Sequence, residues 1–165
     1  MQDKPQSNRV FSLVVLYDMH TGFFNAVLDN ISDADAHNRL QTKANHVAWL
    51  TGSLIEQRYD LARQLGVGKT QSANELFKNN QGIKDDVKYP SLDSFKKDWE
   101  IITPILREAL LKATDEKLDG KFEMMPGMMM TNFELLTFCI YREANIIGQI
   151  ALWRRLLGYE AMKYM

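Results

Sequence analysis

Between Thr131 and Gly158 the chain is apolar on more than one side of a single helix. Leu136, Ile140, Ile147, Ile150 and Ala151 share one face, and Cys139, Ile146, Trp153 and Leu157 share another. A helix apolar on several sides is buried on several sides, so this segment belongs inside a packed helical domain. Its ends are signposted. Thr131 and Glu134 have the spacing of a capping box, and Gly158 follows as the residue that enters the left-handed region without a side-chain clash.

Three further segments repeat the pattern. Val10, Val14, Tyr17, Phe24, Leu28 and Ile31 predict a helix over about 9–30, with Ser32 and Asp35 starting a short turn after it. A second helix is expected over about 44–65, closed by Gly66. A third starts after Pro90, with Ser91 as cap and Leu92, Phe95, Trp99, Ile102, Leu106 and Leu110 as its stripe; Pro104 inside it should kink or locally break it. The connection over 67–89 is polar and long enough to suggest structure of its own, and Ser72–Phe77 fits a short helix with Ser72 and Glu75 as its capping box. A loop is expected over 114–130. Its methionines, Met124, Met125, Met128, Met129 and Met130 around Pro126–Gly127, read as an adaptable plug or lid at the end of a bundle, with soft-ligand Cu(I) binding as the lesser alternative. No segment alternates convincingly as a strand. The expected architecture is all-α: one domain over 1–165, a four-helix bundle with long crossover connections.

The charge balance narrows the partners. Twenty Lys and Arg against 21 Asp and Glu give a net charge of -1, and the basic residues are interspersed with acids, so nucleic acid is not an expected partner. The pair Arg154–Arg155 is too small for such a patch and suits a helix C-terminus. The lone Cys139 excludes an intrachain disulfide and fits a reducing compartment. The first eight residues are polar, and no apolar run is read as approaching the roughly 20 residues of a bilayer span. A cytoplasmic protein with no membrane association is expected. The all-round apolarity of the last helix suggests a homodimer.

Two segments carry a resemblance. Arg142-Glu143-Ala144-Asn145-Ile146-Ile147-Gly148-Gln149-Ile150, continuing to Leu157-Gly158, is similar to the H-E-x-x-H-x-G-Q-I segment of the DinB/YfiT-like family. Asn45 to Leu54 resembles that family's W-x-x-G-H-L helix, and Tyr89-Pro90-Ser91-Leu92 stands where related chains start their third helix. The resemblance covers nearly the whole chain and implies the four-helix fold. The family's name refers to DNA-damage induction of some relatives and implies no DNA chemistry here.

The resemblance also implies a divalent metal, zinc or nickel, held by three histidines. Carried over, those positions are Ser53, Arg142 and Ile146. Residues i and i+4 lie about 40° apart on a helix, so two imidazoles there can share an ion; a guanidinium and a hydrocarbon cannot. No cofactor is therefore expected. Arg142 is expected to act as a fixed positive charge for a small carboxylate or phosphate, with Ser53 across the bundle and Gln149 two turns onward. The ordinary alternatives are an internal ion pair with Glu56, Asp18 or another acid, or a stem that snorkels to solvent. His46, seven residues before Ser53, is a candidate for a displaced site, to which His20 and Asp18 contribute only if packing brings them near; the commoner role is a satisfied core histidine. His37 reads as solvated. Cys139, one turn before Arg142, is expected to be a buried hydrophobe rather than an activated thiol. The functional expectations are a metal-free ligand-binding or inactive bundle, a metal- and thiol-dependent transferase as the alternative, and a helical interaction module as the third.

Overall fold

The computed structural model describes residues 4–164; Met1, Gln2 and Asp3 of the polar N-terminal stretch, and Met165, lie outside the described residues. The elements are α1 (Phe11–Leu28), α2 (Asp33–Ala36), α3 (Val47–Gln64), α4 (Asn74–Phe77), α5 (Leu92–Lys112), α6 (Asp115–Asp119), β1 (Lys121–Met125), β2 (Met128–Thr131) and α7 (Asn132–Leu156).

The protein is mostly helical, and its four long helices pack around a common core. α1 lies against α5 and α7, and α3 lies against the same two. Each helix turns its apolar stripe inward: Tyr17, Phe24 and Leu28 from α1, Leu54, Ile55 and Leu61 from α3, Phe95, Trp99 and Ile102 from α5, and Leu136, Ile147 and Ile150 from α7. The predicted caps are in place. Ser91 Oγ accepts from Ser94 N–H at the start of α5. The Thr131–Glu134 capping box closes reciprocally at the start of α7. Ser32 caps α2, and Gly66 and Gly158 adopt φ of 98° and 88° after α3 and α7. Pro104 sits on the solvent side of an α5 that continues through it.

Three expectations are corrected. The segment over 114–130 is not a loop: it holds α6 and an antiparallel hairpin, with Lys121 opposite Thr131 and Phe122 opposite Met130. Pro126–Gly127 makes its turn, Gly127 taking a φ of 80° while its N–H donates to Glu123 Oε1 at 2.9 Å. The methionines are not a plug. Met125, Met128 and Met129 are exposed at the tip, and only Met124 reaches a cleft wall. Ser72 does not cap α4. Its N–H and Oγ both donate to the buried Asp98, at 3.0 and 2.6 Å, because the loop is pinned to α5 rather than closed on itself.

A fourth correction concerns hydropathy. Among the described residues, the stretch Asn8–Leu28 is long and apolar enough to cross a membrane by length and composition, with a mean hydropathy of 1.3. Its inward face carries Tyr17 and His20 into the packed interior, while 33% of that window is buried.

Candidate functional site

α3 and α7 run side by side, and the hairpin and the α4 segment lean over the seam between them. Together they enclose a cleft of about 440 Å³. Its apolar walls are Trp49, Phe77, Phe122, Met124, Leu135 and Phe138; Ser53, Gln57, Asp60 and Arg142 supply polar groups between them. Gly52 explains how α4 comes this close. A Cβ there would lie 2.2 Å from Phe77 Cζ and 2.7 Å from Phe95 Cε1, so only glycine lets Phe77 seat against α3.

The sequence places Ser53 and Arg142 together, and the structure does the same. Arg142 Nη2 donates to Ser53 Oγ at 2.7 Å, and Nη1 donates to Gln57 Oε1 at 2.7 Å and to the Ser53 carbonyl at 3.3 Å. Among the described residues the internal ion pair does not form. Glu56 is taken by Arg63 at 3.0 Å and by Gln71 at 2.6 Å, and Asp18 by Arg107 at 2.8 Å. Arg142 is thus a half-buried cation with neutral partners, and its Nε makes no hydrogen bond among the described residues. Burial lowers its pKa, partly offset by Cys139 and Asp60, but a guanidinium stays charged. Trp49, whose side chain forms part of the cleft wall, has its indole N–H sealed from solvent with no acceptor among the described residues.

Asp60 stands at the rim. Desolvation by the walls, then repulsion from Glu56, raises its carboxyl above the ordinary range, with Arg63 opposing. Cys139 is 3% exposed, and burial followed by the nearby Glu143 pushes its thiol far up. It is an inert hydrophobe, as its apolar neighbours suggest.

The other predicted positions lie elsewhere. Ile146 is buried in the core rather than in the cleft lining. Gln149 is exposed and donates to Asn145 at 2.6 Å; two turns carry it about 10 Å along the axis, past the cleft. His46 is the N-cap of α3. Its Nδ1 accepts from Trp49 N–H at 3.0 Å, and its ring packs on His37 and Tyr89. His37 is not simply solvated, since its two ring nitrogens lie 2.6 Å from the Asp33 carbonyl and 3.0 Å from that of Tyr89. The three positions that the resemblance gives to a metal do not fit one. Ser53 is committed to Arg142, Ile146 has no donor, and among the described residues no three His, Cys, Asp or Glu side chains come together as ligands.

Sequence reasoning missed the strongest polar cluster. Glu143, beside Arg142 in sequence, points into the core and takes Arg58 on both oxygens, with His20 Nδ1 3.2 Å from Oε2. Arg58 also donates to Thr21 and Thr103, and its guanidinium lies between the rings of Trp99 and Tyr17. A signal existed: Arg58 and Glu143 interrupt the inward stripes of their helices, Leu54–Leu61 and Ile140–Ile147.

No protein-family model matches the chain, and no curated protein matches it.

Proposed function

We propose that this chain is a four-helix bundle of the DinB/YfiT-like type that works without a metal, in the cytoplasm, and binds a small anion in the cleft around Arg142. The observation that carries this reading is a half-buried guanidinium with neutral partners only. A half-buried cation with no carboxylate at ion-pair distance among the described residues, Asp60 acting on it only from farther off, is costly, and an incoming anion lowers that cost. The Arg142 Nε, unbonded among the described residues, supports it, since an anion offers only acceptors.

The lining also argues for the kind of anion. Glu56, Asp60 and Glu123 share the cleft with Arg63 and Arg142, so a dianion meets more repulsion than a monoanion. The aromatic walls suit an apolar body. The favoured ligand is a monocarboxylate with an aromatic or branched hydrocarbon tail. The transferase alternative needs a group that activates a thiol; His20 and His46, the candidate donors of a displaced metal site, are engaged outside the cleft.

Thermal-shift measurements with 3-phenylpropionate, benzoate, inorganic phosphate and glutathione test the reading. The carboxylates should raise Tm in the wild type and in Gln149→Ala, and not in Arg142→Met. An Arg142→Met protein that keeps the full shift, or a response confined to glutathione with added zinc, overturns it.

A further inference from the structure

We infer that the small carboxylate held by Arg142 also carries an ammonium group, so that the ligand of the cleft is a free α-amino acid with an apolar side chain. This rests on the anion-binding role of Arg142 proposed above and adds a second contact, at Asp60.

The charges of the cleft are sorted along α3. Ser53, Gln57 and Asp60 follow one another at steps of four and three residues, so they share one face of the helix. Ser53 and Gln57 hold Arg142, which makes theirs the cationic end. Asp60 stands one turn farther on, about 4.5 Å along the axis from Gln57. Arg142 and Asp60 act on each other electrostatically, yet among the described residues no ion pair joins them.

The acidic end is short of positive charge. Glu56 and Asp60 both draw on a single nitrogen of Arg63, Nη2, and among the described residues no other cation stands within ion-pair distance of either. Glu56 turns its second oxygen to the neutral Gln71. Asp60 Oδ2 makes no hydrogen bond among the described residues. Burial, and then repulsion from Glu56, raise the Asp60 carboxyl in spite of both arginines, as happens to a charge with too little opposite charge beside it.

One end of the cleft therefore has a cation without a carboxylate, and the other has two carboxylates on one cation. A bare carboxylate suits the first end and is repelled by the second. A zwitterion suits both. In an α-amino acid the ammonium nitrogen lies about 2.5 Å from the carboxylate carbon, so a carboxylate on Arg142 sends the ammonium along α3 toward Asp60. The walls for its side chain are at the same level. Gln57 donates to the Cys139 carbonyl and Trp153 to that of Asn45, so α7 runs antiparallel to α3. Leu135 and Phe138, which precede Arg142 on α7, thus flank the step from Gln57 to Asp60.

Isothermal titration calorimetry of the full chain tests this with L-phenylalanine, with 3-phenylpropionate, which lacks the ammonium, and with L-phenylalanine amide, which lacks the carboxylate. The wild type should bind L-phenylalanine at least about tenfold more tightly than 3-phenylpropionate, the scale of one hydrogen bond to a charged group. The amide should bind most weakly. Asp60→Asn should bind L-phenylalanine more weakly and 3-phenylpropionate more tightly, because the carboxylate that holds an ammonium repels a bare anion. Equal wild-type affinities for the two carboxylates, or a preference that survives Asp60→Asn, overturn the inference and leave the anion role of Arg142 intact. An amide that binds as tightly as L-phenylalanine, or no binding of either carboxylate, overturns both. If Asp60→Asn does not fold, the wild-type comparison decides alone.

Discussion

Arg58 grips Glu143 with two edges of its guanidinium, Nε to Oε1 at 2.6 Å and Nη2 to Oε2 at 3.1 Å, and both side chains are almost wholly sealed from solvent. This pair ties α3 to α7 directly behind the cleft. Burying two charges is tolerable only while each satisfies the other. Glu143→Ala or Arg58→Ala should therefore cost about 3–5 kcal/mol, a large share of the roughly 5–15 kcal/mol that holds a domain together. The double change Arg58→Met with Glu143→Leu should cost much less, because no lone charge is left behind. Urea unfolding of the three variants checks the order; a double variant worse than both singles contradicts it.

His46 makes stability depend on acidity. Burial, and then the charge of His37, lower its pKa from 6.5 to about 4, with Arg39 adding to this and Asp85 opposing. The unfolded chain therefore binds a proton that the native state refuses as pH falls from 6.5 to about 4, and stability drops across that window. Protonation at Nδ1 also removes the acceptor for Trp49 N–H, the cap of α3. His46→Asn keeps a capping acceptor without the titration. Its Tm should fall less than that of the wild type between these pH values; equal slopes contradict the assignment.

Gly52→Ala should destabilise the fold by about 1–3 kcal/mol despite the better helix propensity of alanine, because its methyl group collides with Phe77 and Phe95. Phe77 is a wall of the cleft, so the same variant should weaken ligand-induced thermal shifts. A neutral or stabilising Gly52→Ala contradicts the packing described.

Cys139 should resist alkylation. Its thiol is buried and its pKa raised by burial and by Glu143, so native protein at neutral pH should react with iodoacetamide at least about a hundredfold more slowly than urea-unfolded protein. Comparable rates would place the thiol in an open part of the cleft.

The long helices were legible from their inward stripes, and three of the four also from an end: Ser91 for α5, Thr131 with Glu134 and Gly158 for α7, and Gly66 for α3; α1 has no capping side chain. The hairpin was not. Lys121-Phe122-Glu123-Met124 does alternate, and Pro126–Gly127 is a turn signal, but Met128-Met129-Met130 has no contrast between faces. Of the cleft, the Ser53–Arg142 contact was expected only through the resemblance, which sets those two positions across the bundle from each other; the helical stripes alone do not pair them. Gln57 was within reach of the same reasoning, one turn beyond Ser53. Gln149 and His46 each lie two turns, about 10 Å, from Arg142 and Ser53, and they were misplaced because the hairpin and α4, which the helical stripes do not position, set how far the cleft extends along the seam. The choice of Arg58 over Arg142 as the ion-pair partner of an acid depends on the rotation of α7, by which Glu143 faces the core and Arg142 the seam.

The central claim is that Arg142 offers its charge to an anion rather than standing in an emptied metal site. A crystal structure of the wild type grown with 3-phenylpropionate tests it most directly. The account predicts a carboxylate oxygen about 2.7–3.2 Å from the Arg142 guanidinium, with the phenyl ring against the cleft's aromatic walls. A divalent ion held between Ser53 and α7, or a carboxylate bound away from Arg142 while the guanidinium keeps only its Ser53 and Gln57 bonds, would contradict it.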